Sequence, residues 1–78
     1  MPVYYFDVET DQGCFEDTVG QTLGDREAVR REALSILAPM AQEALPCANG
    51  TTIKVIVRNE NRHAILFATL GLDTCWVA

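Results

Sequence analysis

The residue best placed to do chemistry in this sequence is Pro2, which directly follows Met1. If Met1 is removed, Pro2 presents a secondary amine beside a predicted strand. An amine of this kind acts as a general base when its pKa lies near the working pH. The signal rests on one residue, so a proton-transfer enzyme stands as an alternative function and not as the leading one.

An acidic run in the first 11 residues has the spacing of calcium ligands. Asp7, Glu9 and Asp11 alternate as oxygen ligands do at the start of a calcium loop. The position that requires glycine holds Gln12, and the position of the closing glutamate holds Thr18. We therefore expect a solvated strand edge here and no metal site.

The histidine and the three cysteines also fall short of a catalytic or metal-binding set. His63 stands beside a predicted turn, with no cysteine or aspartate at nucleophile–base spacing. Cys14, Cys47 and Cys75 form no C-x-x-C pair, and an odd number cannot all pair within one chain. The prediction is three free thiols, no catalytic residue, no metal and no cofactor, so we expect a protein that is not an enzyme.

Length and charge narrow the class of protein. The 78 residues allow one domain, spanning 1–78. A net charge of −5 argues against nucleic acid as a partner. No apolar run reaches the roughly 18 residues of a membrane helix, and the first residues lack the basic and apolar parts of a signal peptide. The expected location is the cytoplasm, with no membrane contact.

The N-terminal third predicts a β-hairpin. Residues 3–9 are rich in β-branched and aromatic types, with Tyr4, Phe6 and Val8 on one face. A turn follows in which Gly13 takes a positive φ. A shorter strand over about 14–19 then returns along the first, and its register is open.

A helix follows over about 26–45, with Asp25 as its N-cap. Its apolar residues cover a broad arc, and Glu32 and Glu43 lie on the wet side. Pro39 falls inside the helix on that wet side, where it should bend or split it.

The last third predicts a second hairpin, with strands over 51–58 and 62–72. The loop Asn59-Glu60-Asn61 joins them, with Asn61 in the left-handed conformation. Pairing Arg58 with Arg62 would place Ile65 and Phe67 in the core. The opposite face would then be apolar too, and one helix covers only one face of a sheet.

These elements give an α+β class: a two-layer ββαββ domain in which two hairpins form a mainly antiparallel four-stranded sheet, with one helix on one face. The predicted core consists of residues from both hairpins and the helix: Phe6, Val8, Val29, Ala33, Ile36, Leu37, Met40, Ile53, Val55, Ile65 and Phe67.

Three stretches of the chain resemble a family of small bacterial proteins of unknown function. They are MPVYYFDVE, DREAVRREALSILAPMAQEALP and VIVRNENRHAILFATL. Members open MPxYFFDV, carry an aspartate-capped helix and end in a VRDExGRPVL-type hairpin. The resemblance spans essentially the whole chain. It implies a ββαββ domain and carries no functional residues over; Asn61 and Pro39 depart from the pattern.

Two further resemblances supply alternative functions. The stretch from Tyr4 to Leu34 resembles the N-terminal part of HicB-like antitoxins, which implies binding of a toxin, although no DNA-binding tail follows. The Met1-Pro2 start is similar to that of small tautomerases of the 4-oxalocrotonate type, in which an N-terminal proline is the base. Those enzymes run from the first strand directly to the helix, whereas here a hairpin through Phe15 intervenes.

The leading hypothesis is a non-enzymatic protein–protein interaction or regulatory module that self-associates. A domain this small buries only about 60% of the surface of its unfolded chain, so its stability is marginal. Because neither a disulfide nor a metal is expected, oligomerisation is the remaining way to stabilise it. We expect a homodimer or small homo-oligomer, with a further protein partner possible. The predicted contact residues lie on the second sheet face, on the outer helix arc and in the tail: Ile56, Leu66, Ala68, Leu70, Leu34, Ala38, Ala41 and Trp76. A register shifted by one residue would instead expose the face of Ile65 and Phe67.

Overall fold

The computed structural model describes residues 2–44 and 50–78. Strands β1 (Val3–Thr10), β2 (Gly13–Phe15) and β3 (Gln21–Thr22) precede the single described helix, α1 (Arg26–Ala44). Strands β4 (Thr51–Arg58) and β5 (Ala64–Leu72) follow it. The class is α+β with a ββαββ-like order, as the sequence predicts.

The sheet is antiparallel in every described pairing. Its order is β2-β1-β4-β5, and β3 pairs with the first part of β1. The predicted strand over 14–19 is therefore wrong in its bounds, because it is interrupted. β2 pairs with the end of β1 through Val8 and Phe15, whereas β3 pairs with its start through Val3 and Thr22. The loop between them, residues 16–20, carries the exposed Val19.

The cap of α1 is the predicted one. The Oδ1 atom of Asp25 accepts a hydrogen bond of 2.7 Å from the backbone N–H of Ala28, which a helical first turn leaves unpaired. The helix is continuous from Arg26 to Ala44 with the exposed Pro39 inside it, so Pro39 does not split it. The predicted last helical residue, Leu45, lies outside the described residues.

The core lies between α1 and one face of the sheet. Val29, Ala33 and Leu37 recur every four residues on α1 and are buried. Alternate residues of the strands pack against them from the sheet: Phe6, Ile53, Val55 and Val57. Burying a Val, Leu, Ile or Phe side chain contributes about 1.5–3 kcal/mol, so this cluster is a main source of hydrophobic stabilisation.

The second hairpin differs from its prediction in turn and register. Arg62, and not Asn61, has the positive φ, 65°. Arg58 pairs with Ala64, two residues beyond the expected partner Arg62. A β-bulge then places Val57 opposite Leu66, whereas the predicted register placed Val57 opposite His63. The total displacement of three residues is odd, so it exchanges the faces of β5.

That exchange corrects the predicted core. Phe67 is 58% exposed and Ile65 is 44% exposed, so neither is a core residue. Val57 is fully buried and was missing from the predicted set. Leu66, Ala68 and Leu70, expected on the outer face, pack against the core beneath α1.

Candidate interaction surface

The sheet face that α1 does not cover is here called the open face. Cross-strand pairs define it: Tyr5 with Arg58, Asp7 with Ile56, and Ile56 with Phe67. Paired residues of an antiparallel sheet point to the same side, so these side chains form one continuous surface. Along the described chain, no helix or strand is stacked on this face.

An ion pair occupies the part of the open face nearest the first hairpin. The Nε atom of Arg58 donates to Asp7 Oδ2 at 2.6 Å, and its Nη2 atom donates to Oδ1 at 3.1 Å. Glu16 lies 3.5 Å from the same guanidinium, which also lies over the ring of Tyr5 at 5.5 Å. The hydrogen bond to Asp7 is the largest cause of a raised pKa of Arg58, against the opposing effect of burial.

Asp17 supplies hydrogen bonds where the strand is interrupted. Its Oδ2 atom accepts from the backbone N–H of Phe6 at 3.0 Å, and its Oδ1 atom accepts from Val19 and Gly20, each at 3.0 Å. Its own N–H donates to Asp7 Oδ1 at 2.9 Å. Burial opposes ionisation of Asp17, but these amide donors and Arg58 outweigh it and lower its pKa. The carboxylate therefore takes the place of a missing stretch of β-ladder.

The apolar part of the open face is centred on Phe67. The Lys54 ammonium lies 4.4 Å from the centroid of the Phe67 ring. Ile56 is half-buried beside it, and Tyr5 is half-buried next to Arg58. We call Tyr5, Ile56 and Phe67 the open-face patch. The patch combines aromatic and aliphatic side chains with cations, a composition common in protein-binding surfaces.

The predicted contact residues are divided between the two sides of the molecule. Ile56 lies on the open face as expected. Leu66, Ala68 and Leu70 do not, because the bulge turns them toward α1. On the helix, Leu34 and Ala38 are exposed and Ala41 is half-buried. Trp76 is 96% exposed and covers no part of its own core.

A cavity of about 660 Å³ opens on the helix side, between the start of α1 and the start of β5. Its apolar lining includes Tyr4, Val29 and Leu66, and its charged lining consists of Arg26, Glu27 and Arg30. Arg30 is paired with Glu27 at 3.1 Å. Ile65, which the bulge displaces from the ladder, also lines it. Sequence reasoning did not find this cavity, because it depends on the bulge and on where α1 crosses the sheet.

The residues first considered for chemistry are dispersed. Pro2 is exposed, its carbonyl accepts from the N–H of Leu23 at 3.2 Å, and it does not line the cavity that holds Arg26 and Arg30. His63 is exposed beside its turn, and Cys14 and Cys75 are exposed free thiols. Cys47 lies outside the described residues. Over residues 2–44 and 50–78, no three His, Cys, Asp or Glu side chains are grouped as metal ligands.

The free edge of β5 is the last feature of this surface. β5 pairs with β4 on one side and with no described strand on the other. Its nine residues, Ala64–Leu72, include no charged side chain and no proline. Charge and proline are the usual means by which an edge strand is kept from pairing with another chain.

In the part of the chain that the structure describes, no helix has the length and apolar character needed to cross a membrane.

Comparison with known proteins identifies a family. One family model, described as "Domain of unknown function (DUF6894)", matches residues 3–71. No curated protein and no solved structure matches the chain significantly.

Proposed function

Because the chain belongs to the DUF6894 family, a domain of unknown function, we propose its function from its own surface: a small, non-enzymatic protein–protein interaction module that self-associates through its sheet. The observation that carries this proposal is the open-face patch together with the free edge of β5. Both are apolar, and they meet at Phe67.

The polar groups of the open face support binding over catalysis. Arg58 and Asp7 make a bidentate pair, and Asp17 accepts from three backbone amides. Groups so engaged hold the loop of residues 16–20 against β1. A catalytic acid or base must instead be within reach of a substrate proton. These carboxylates therefore have a structural role in the proposal.

Self-association follows from the size of the domain and from its exposed aromatic residues. A covered aromatic side chain buries about 150–250 Å². Phe67 is 58% exposed even though the Lys54 ammonium lies over its ring. A second copy that binds at the β5 edge would cover Phe67, and a two-fold axis is the commonest closed arrangement for one self-complementary surface.

Light scattering and sedimentation across the micromolar range test the proposal. We expect a species of twice the 8.6 kDa chain mass. Phe67→Ser should weaken the self-association at least about tenfold, which corresponds to about 1.4 kcal/mol. Phe15→Ser is the matched control, because Phe15 is also 58% exposed but lies on the helix side, opposite Val8. A wild-type protein that remains at 8.6 kDa throughout would refute self-association.

A further inference from the structure

We propose that two copies join by antiparallel pairing of their β5 edges, and that Trp76 of each copy docks into the helix-side cavity of the other. This inference rests on the proposed self-association and names its geometry. It assigns a ligand to the cavity and a function to an exposed tryptophan.

The edge of β5 is chemically suited to pair with itself. Ala64–Leu72 is neutral, nine residues long and free of proline, so no side chain opposes a second strand. Antiparallel pairing of an edge with its own copy is the two-fold form of strand addition, in which backbone hydrogen bonds supply much of the affinity. Overlap of the regular stretch 66–70 places the axis at Ala68 and sets Leu66 opposite Leu70 of the second copy.

The charge distribution favours this edge over the other. Residues 1–25 contain six acidic side chains and no lysine or arginine, and they form the β1–β2 side of the sheet. Each copy carries a net charge of −5. With a strand spacing of about 4.8 Å, β5 pairing keeps the two β1 strands about 24 Å apart. That distance exceeds the screening length of about 8 Å at physiological salt, so the acidic hairpins do not repel each other appreciably.

The cavity cannot be filled by the tail of the same copy. Trp76 and Val77 are 96% and 94% exposed. Returning from Leu72 to Leu66 along β5 requires about 20 Å at 3.3 Å per residue. Residues 73–76 span at most about 14 Å when extended, and they would first have to reverse direction.

The tail of a second copy arrives at the correct end. In antiparallel pairing, residues 73–76 of one copy run past Ala64 of the other and along its turn at 59–63. Asn59 and Leu66 both line the cavity, so it opens beside that path. Trp76 is an even number of residues beyond Leu66, Ala68 and Leu70. A tail that continues the strand therefore turns its indole to the helix side.

The cavity lining suits an indole. Tyr4, Val29 and Leu66 offer apolar contact. Arg26 and Arg30 also line the cavity and supply cations that attract an aromatic face, with Arg30 paired to Glu27. Tryptophan anchors in pockets of this kind are frequent in stable interfaces. Docking of both Trp76 side chains would cover the large hydrophobic side chain that is most exposed among the described residues of each copy.

Trp76 is the chain's single tryptophan, so its fluorescence reports on docking directly. The experiment is a dilution series followed in parallel by tryptophan emission and by light scattering. We expect the emission maximum to shift to shorter wavelength as the dimer forms, with the same midpoint in both signals. Trp76→Ala should weaken dimerisation at least about tenfold.

A matched pair of threonine variants tests the edge. Thr69 and Thr52 are both exposed and both lie on the open face, but Thr69 is on the edge strand and Thr52 is on the inner strand β4. Thr69→Lys should remain monomeric, because two added cations meet near the axis. Thr52→Lys should dimerise as the wild type does. Hydrogen exchange should show that the outward amides of β5 become protected in the wild-type dimer.

The outcomes separate the inference from the function on which it rests. A dimer that Thr69→Lys leaves intact, with β5 amides unprotected, would overturn edge pairing while self-association stands. A dimer that forms without any change in emission would overturn the docking of Trp76. A protein that stays monomeric would overturn both the inference and the proposed self-association.

Discussion

The guanidinium of Arg58 and the carboxylate of Asp7 form a bidentate ion pair across β4 and β1, on the face of the sheet that no helix covers. Asp7 is only 7% exposed there, because Arg58 and the loop of residues 16–20 cover it. The pair thus anchors the loop that interrupts the second strand. Removing Arg58 leaves Asp7 poorly solvated and without its counter-charge, and removing Asp7 leaves Arg58 with the more distant carboxylate of Glu16 at 3.5 Å.

A double-mutant cycle measures this coupling. We expect Arg58→Ala and Asp7→Ala each to lower the unfolding midpoint in urea. The double variant should lose less stability than the sum of the two, because neither charge is then left unpaired. Strict additivity would show that the pair does not act as a unit.

The carboxylate of Asp17 should make stability depend on pH. Its pKa is lowered in the folded protein, so its contribution is fully present above its unfolded pKa of about 4 and is lost as pH falls through the lower folded value. Urea unfolding between pH 5 and pH 2.5 should show this loss. Asp17→Asn should flatten the profile.

Replacement of Arg62 by glycine should stabilise the second hairpin. Arg62 has a φ of 65°, a conformation that costs a residue with a Cβ about 1 kcal/mol and glycine little. Arg62→Gly should therefore raise the free energy of unfolding by about 0.5–1 kcal/mol. Asn61→Gly is the control and should not stabilise, because Asn61 has a negative φ. The opposite ranking would place the left-handed residue at 61.

Addition of a methyl group at Gly20 should destabilise the first hairpin. A Cβ built there would lie 2.7 Å from Val3 Cγ1 and 3.0 Å from Tyr5 Cε1, and the φ of Gly20 is +80°. Gly20→Ala should cost about 1–3 kcal/mol in thermal or urea unfolding. Gly71→Ala meets no atom within 4 Å and should change stability by less than about 0.5 kcal/mol. Equal effects of the two substitutions would contradict the packing at Gly20.

Two neighbouring residues of β5 report its register. Leu66 packs against the core, whereas Phe67 lies on the open face. Leu66→Lys should destabilise the fold by about 2–4 kcal/mol, because it places a cation beneath α1. Phe67→Lys should leave the stability of the monomer nearly unchanged. Urea unfolding followed by circular dichroism, at concentrations below the onset of association, measures the stability of both variants. A larger loss for Phe67→Lys than for Leu66→Lys would support the register expected without the bulge.

Local patterns in the sequence were sufficient for the α+β class, the element order, the Asp25 cap, the positive φ of Gly13 and most of the core. Each depends on residues close together in the chain: alternation along β1, a four-residue repeat in α1, and a carboxylate three residues before the amide whose hydrogen bond it accepts. The faces of β5 were beyond such reasoning. A bulge opposite the step from Val57 to Arg58 adds one residue, Ile65, to β5, and its cost is decided by packing across the sheet and not by β5 itself. Local patterns were also insufficient for three other features. These are the hydrogen bonds by which Asp17 replaces part of the strand ladder, the burial of Asp7 by Arg58 and the cavity beside Leu66. In each, groups distant in sequence meet only after the sheet has formed, so tertiary structure alone decided them.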